Sequence, residues 1–231
     1  MTTHPILFSG AMVRAILDGT KTQTRRVAKV VKGDVVVNEN GGFTVYQTLP
    51  REGAEAWRGV QVGSIACPYG QPGDRLWVKE TFQLHTTGAG IRVTYRAGGP
   101  DRFVEPPEEW DGIPDDNHWR PSLFMPRWAS RITLEITGVR VERLQAITEA
   151  DAKAEGIERI HAGCHSAWKN YLFKGDPKKG QEITDKEHRI VGYKSPIASY
   201  QSLWNSINGP GSWDANPLVW VIEFKRSEDT K

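Results

Sequence analysis

The nonapeptide Asp18-Gly19-Thr20-Lys21-Thr22-Gln23-Thr24-Arg25-Arg26 brings together an amine, three hydroxyls, an amide and two guanidinium groups. Such groups can support nucleophilic and acid–base chemistry, in which an oxygen attacks, a base activates it and an acid protonates the leaving group. Thr24 can supply a hydroxyl or position a water. Lys21, desolvated beside Arg25 or Arg26, would have a lowered pKa and could serve as the base. The plainer alternative is a solvated turn leading into an edge strand, with threonine chosen for its strand propensity. Geometry sets a condition on the chemical reading. On an unbroken strand Lys21 and Thr24 point to opposite faces, so they converge only if Lys21 still belongs to the turn after Gly19.

The elements around this stretch can be read from local signals. Val13, Ile16 and Leu17 share one face of a short helix, with Ser9 as N-cap and Gly19 as its stop, and the threonines that follow favour a strand. Gly33-Asp34, Val35–Val37, the turn 38–42 and Phe43–Tyr46 read as a hairpin. Cys67 to Asp74 is turn chemistry, and Arg75 to Phe82 reads as one strand with Leu76, Val78 and Glu80 on the same side. Ile91 to Tyr95 alternates, and 98–117 reads as a long surface loop. In Arg131 to Arg143, Ile132, Leu134 and Ile136 alternate until Gly138, which predicts a bulge. Thr148-Glu149-Ala150-Asp151 resembles a capping box opening a helix that Gly156 ends. No period persists over 157–191. Ser195-Pro196 opens a second long helix whose Tyr200, Leu203, Trp204 and Ile207 form a core stripe, and Leu218 to Phe224 is a final strand.

The segment Gly19 to Arg26 resembles the G-x-K-x-x-T-x-R signature of the ASCH family, whose fold is a PUA-like β-barrel. Three further pieces agree in order: Gly73-Asp74 with the family's turn, Ile147 to Gly156 with its acidic helical motif, and Val219 to Phe224 with its closing strand. The resemblance covers about half of the chain; the rest is similar to the insertions of the longer, phage-borne type. It implies a mixed α/β, mainly β fold: a small antiparallel PUA-like barrel with helices at its openings. It also implies one domain over 1–231, with insertions at about 27–63 and 157–191. Lys21, Thr24 and Glu155 match the catalytic set of relatives that hydrolyse N4-acetylcytidine, with Glu155 holding the lysine or protonating the cytosine amine. Arg25, Arg26, Tyr69 and Trp128 are the substrate-binding candidates. Trp128 closes a run from Trp119 that interleaves aromatics with guanidinium groups; such a run can stack bases, but the favoured reading is tryptophans plugging one end of the barrel. The implied function is recognition of a nucleobase or nucleoside with hydrolysis of an N4-acylated cytidine. The rivals are a non-catalytic reader of single-stranded RNA or of modified bases, and a ribonuclease.

Composition bounds these readings. At 231 residues, 38% hydrophobic and 25% charged, the chain describes a soluble globular protein with one real core. Thirty basic against 28 acidic side chains leave a net charge of +2, which does not advertise a large DNA-coating surface. Within the first 33 residues Arg14, Lys21, Arg25, Arg26, Lys29 and Lys32 face only Asp18, whereas 101–116 is acidic. Weak, salt-dependent nucleic-acid binding is therefore expected to rest on that N-terminal cluster. Cys67 and Cys164 make no disulfide framework; no signal peptide or membrane span is read, and the expectation is a cytoplasmic protein. His161, Cys164 and His165 with Cys67 fit no strong zinc spacing, so no metal or cofactor is expected. No phosphate-binding glycine loop and no nucleophile elbow is present. Replacing Lys21 by alanine is expected to abolish turnover and to leave stability nearly unchanged.

Overall fold

The fold is built on the pairing of two strands, β10 (Thr133–Arg143) and β14 (Leu218–Arg226). In a computed structural model of the chain, the described residues are 1–28, 34–37, 43–49, 58–87, 90–105, 108, 118–162, 165–172 and 192–227. β14 is covered on both faces, which explains its unbroken apolar run. Trp220, Ile222 and Phe224 enter one core cluster and Val219 and Val221 another. The β10–β14 register shifts between Ile136 and Gly138, so the bulge expected at Gly138 is present. A Cβ at Gly138 would lie 2.9 Å from Glu223 Oε2, so the bulge also admits that carboxylate.

Three more strands complete the largest sheet, in the order β1 (Thr3–Leu7), β6 (Arg75–Lys79), β10, β14, β2 (Gln23–Val27). β1 runs parallel to β6 and the other pairs are antiparallel. Helix α1 (Gly10–Leu17) buries Val13 and Ile16 against one side, with Ile6, Phe8, Leu76, Val78 and Leu134. On the other side α2 (Glu149–Ala154) and α3 (Pro196–Asn208) cover Val219 and Val221, with Leu144, Tyr200, Trp204 and Trp213 between. The architecture is mixed α/β and mainly strand. Among the described residues no ladder joins β1 to β2, and no helix is long and apolar enough to cross a membrane.

Three smaller sheets flank this frame. The expected hairpin is there as β3 (Asp34–Val37) and β4 (Phe43–Leu49), joined by a third strand, β5 (Arg58–Ile65), in a stretch with little sequence pattern. The strand expected over Arg75 to Phe82 is two: β6 stops at Lys79 and β7 (Phe82–Thr87) joins another sheet with β8 (Gly90–Tyr95) and β9 (Arg102–Val104). The break lies at Glu80, which is 2% exposed and held bidentately by Arg131 at 2.8 and 2.9 Å. Burial raises the Glu80 pKa, and the Arg131 contact opposes it. The third sheet, β11 (Arg159–Ala162), β12 (His165–Lys169) and β13 (Gly192–Tyr193), takes its first two strands from the patternless 157–191 region and its last from just beyond it. β9 and β11, of three and four residues, escaped the sequence reading because runs so short carry no readable period. The turn 38–42, most of 106–117, Lys29, Lys32, Cys164, 173–191 and 228–231 lie outside the described residues.

Candidate functional site

The Ser9 hydroxyl accepts from Met12 N and caps α1, and Gly19, at φ +72°, ends the helix. The backbone N–H groups of Thr20 and Lys21 then both donate to the Ala15 carbonyl, at 2.9 and 3.0 Å. Lys21 therefore belongs to the turn, two residues before β2 begins, and its backbone pairs with Glu155 in an isolated bridge. Glu155 is placed just as locally. Thr148 and Asp151 form both halves of a capping box at the start of α2, and Glu155 is the C-cap residue. Gly156 follows at φ +77°, where a Cβ would stand 2.7 Å from Lys21 Cβ and 2.8 Å from Ala15 Cβ. Only glycine permits this approach of the two turns.

The charged groups form a closed network. Lys21 Nζ donates to Glu155 Oε2 at 2.8 Å, to the Glu155 carbonyl at 2.9 Å and to the Gln23 carbonyl at 2.8 Å. Three acceptors match the three protons of an ammonium. Burial nonetheless pushes the Lys21 pKa down, with Glu155 opposing and Arg26 and Arg25 adding to the fall. Glu155 Oε1 accepts from Arg25 Nη1 at 3.2 Å. Arg25 Nη2 reaches Glu142 Oε1 at 2.6 Å and Asp151 Oδ2 at 3.4 Å. Arg140 ties Glu142, Asp151 and Glu223 together from outside. Burial alone would lower the Arg25 pKa, but Glu155 and Glu142 outweigh it and hold the guanidinium charged. The Tyr200 side chain is buried, and that burial raises its pKa well above the usual value, with the negative charge of Glu155 adding to the rise.

A cavity of about 490 Å³ opens beside this network, between the β1–α1 junction, β2 and α3. Arg25, Arg26, Glu155 and Tyr200 supply its polar wall; Phe8, Leu203 and Ile207 are among its apolar lining. The Arg26 guanidinium lies 5.3 Å from the Phe8 ring centre, and the Arg25 guanidinium 5.9 Å from that of Tyr200. Among the described residues two donors in the lining residues, Arg25 Nε and Trp204 Nε1, are buried without a partner. Such groups each cost about 1–3 kcal/mol when left unpaired.

The sequence candidates divide clearly. Arg25, Arg26, Tyr69 and Glu155 line the cavity. Lys21 does not: it sits behind Glu155 with its side chain fully covered. Thr24 lies across from Ile222 of β14, so it shares the face of the first core cluster, while Arg25, across from Val221, faces the second. Among the described residues Thr24 makes no hydrogen bond to Lys21 or Glu155. Trp128 lies away from the cavity, in a one-turn 3-10 helix packed on the cluster of Phe82, Leu84, Tyr95 and Met125. A tryptophan there buries apolar surface against that cluster, and it is not among the residues lining the cavity. Ile207 is corrected: it is 55% exposed and lines the cavity rather than the core.

Sequence reasoning missed Glu142, Asp151 and Tyr200 as parts of the site. Arg140 and Glu142, two apart on a strand, share a face and were a visible signal. Tyr200 was hidden inside an apolar stripe. Among the described residues no group of three or more His, Cys, Asp or Glu side chains is arranged to hold a metal. Comparison with protein families, with curated proteins and with solved structures finds no match for this chain.

Proposed function

We propose that the cavity binds the base of a nucleoside and that the reaction is hydrolysis of the amide of an N4-acylated cytidine, in a PUA-like barrel of the ASCH type. The sequence resemblance supplies the substrate class. The observation that carries the reading is Glu155, which faces the cavity while holding Lys21 at 2.8 Å and Arg25 at 3.2 Å. The barrel is supported by Arg26 Nη2, which donates to the Leu7 carbonyl at 2.8 Å and so links the two edge strands β2 and β1.

In this reading water adds to the acyl carbon and the C–N4 bond breaks. Glu155 takes the proton of the attacking water and returns it to the departing cytosine amine, giving cytidine and a carboxylic acid. The Lys21 ammonium and Arg25 fix the carboxylate and offset its charge. Arg26 and Tyr69 orient the base. Thr24, on the other face of β2, has no direct step in this scheme.

A binding-only reading is favoured by one fact: Lys21 Nζ already satisfies three acceptors and has no exposure to the cavity. Incubation with N4-acetylcytidine, followed by mass spectrometry and paired with calorimetry, separates the two. Hydrolysis gives loss of the acetyl group in the native protein and none in Glu155→Gln. Binding without mass change establishes the reader, and neither binding nor turnover overturns both readings.

A further inference from the structure

Two more cavities, of about 590 and 710 Å³, lie along another side of α1 and share Arg14 and Asp18 as common wall. Around Arg14 they collect cations from distant parts of the chain. Arg102, Arg131 and Arg226 line one cavity; Lys153 and Arg159 line the other. This is not the N-terminal cluster that the sequence suggested. Lys21 and Arg25 are buried in ion pairs, and of the described members of that cluster only Arg14 is exposed.

The charge balance along this groove is one-sided. Its carboxylates are Asp18, Asp101 and Glu158. Asp101 lies 3.8 Å from Arg92, and Glu158 is bonded to Lys169 at 2.9 Å, so both have cations of their own outside the groove. Arg131 is committed to Glu80, but Arg14, Lys153 and Arg226 form no ion pair among the described residues. At the far end Trp168 presents an indole against which the Arg159 guanidinium lies, 5.3 Å from the ring centre. A concave run of cations, mostly arginine, with an aromatic in its wall matches a chain of phosphodiesters carrying bases.

We propose that this groove carries the sugar–phosphate backbone of a single-stranded nucleic acid. A net charge of +2 for the whole chain leaves little long-range pull on other polyanions, so the attraction is local to these side chains. The groove also runs close to the nucleoside cavity. Ala154 and Gly156 form part of its wall, and the residue between them, Glu155, faces that cavity. The assignment does not depend on the reaction proposed there.

The test is fluorescence anisotropy with a labelled 12-nucleotide oligouridylate over a salt series, beside a duplex of equal length. Three unpaired cations predict a slope of log K against log salt of about −2, at about 0.7 per phosphate contact. The triple variant Arg14→Glu/Lys153→Glu/Arg226→Glu is expected to bind at least tenfold more weakly, with the slope falling towards zero. Arg75→Glu, an exposed charge outside the groove, should change neither. Calorimetry with N4-acetylcytidine on the same triple variant should be unaltered, which keeps this proposal separate from that for the cavity. No binding at low salt, equal binding by the triple variant, or a duplex bound as tightly as the single strand overturns the assignment.

Discussion

The Lys21 ammonium lies 2.8 Å from the Glu155 carboxylate, and their side chains are 0% and 2% exposed. A pair taken this far out of water gains little net stability over apolar packing, but losing one partner strands the other. Arg25 shares the same carboxylate, so the three side chains act as one unit.

Lys21→Met should therefore destabilise the fold by about 3 kcal/mol, within the range for breaking a buried pair. It departs from the expectation that Lys21 could be removed with stability nearly unchanged, which took the lysine to line the pocket. Urea denaturation of the native protein and the variant measures it. A loss below about 1 kcal/mol would mean that the pair is hydrated like a surface pair.

Gly156→Ala and Gly19→Ala test the close approach of the two turns. Both positions have positive φ, at +77° and +72°, but an added Cβ meets nothing within 4 Å at Gly19. Gly19→Ala should cost the conformational penalty alone, about 1–2 kcal/mol. Gly156→Ala must also displace Lys21 and Ala15, adding about 1–3 kcal/mol. Equal losses in thermal or urea unfolding would show that the turns move apart without cost.

Ile207→Ser separates cavity from core. With 55% of its surface exposed, Ile207 contributes little to folding, and the change should alter stability by less than about 0.5 kcal/mol. If the cavity binds a base, the same substitution should weaken N4-acetylcytidine binding severalfold in calorimetry. Unfolding at lower denaturant with unchanged affinity would be the opposite pattern and would place Ile207 in the core.

Acid stability should depend on two aspartates. Backbone N–H groups of Thr2 and Gln71 hold the Asp74 carboxyl down at about 2, below its ordinary 3.8. Burial raises Asp151, but hydrogen bonds from Thr148 and the charges of Arg25 and Arg140 bring it down to about 2 as well. Each carboxylate stabilises the fold fully above the ordinary value, and that contribution is lost as pH falls from 3.8 towards 2. Asp74→Asn and Asp151→Asn should each flatten the fall in urea midpoint over this interval. An unchanged acid limb would show that the two groups titrate normally.

What the sequence made legible was local. Ser9, Gly19, the Thr148–Asp151 box and the Gly138 bulge each follow from chemistry within a few residues, and all four are found. Ser195 does stand at the N-cap of α3, although its hydroxyl makes no capping bond. The break at Glu80 was hidden because its cause, Arg131, lies in another strand connection. Glu142, Asp151 and Tyr200 join the site only through the sheet order β10–β14–β2 and the seating of α3, which no short-range pattern encodes. Lys21 and Glu155 were paired in advance by resemblance, and a desolvated Lys21 was anticipated; that it lies outside the cavity lining was not, since no local pattern in a polar nonapeptide encodes it.

The register that sets Val27 of β2 opposite Val219 of β14 also fixes an order of assembly. Among the described residues β2 has no other partner in its sheet, so the edge it pairs with β14 stays without that ladder until β14 has been synthesised. Closing so long a loop is slow, because its entropy is lost before the contacts form. Until then Lys21 and Arg25 are ordinary hydrated cations. A nascent chain halted before β14 can complete α1 and the Thr148 capping box, but not the dehydrated polar centre, so cavity formation and final strand docking should appear as one late kinetic phase.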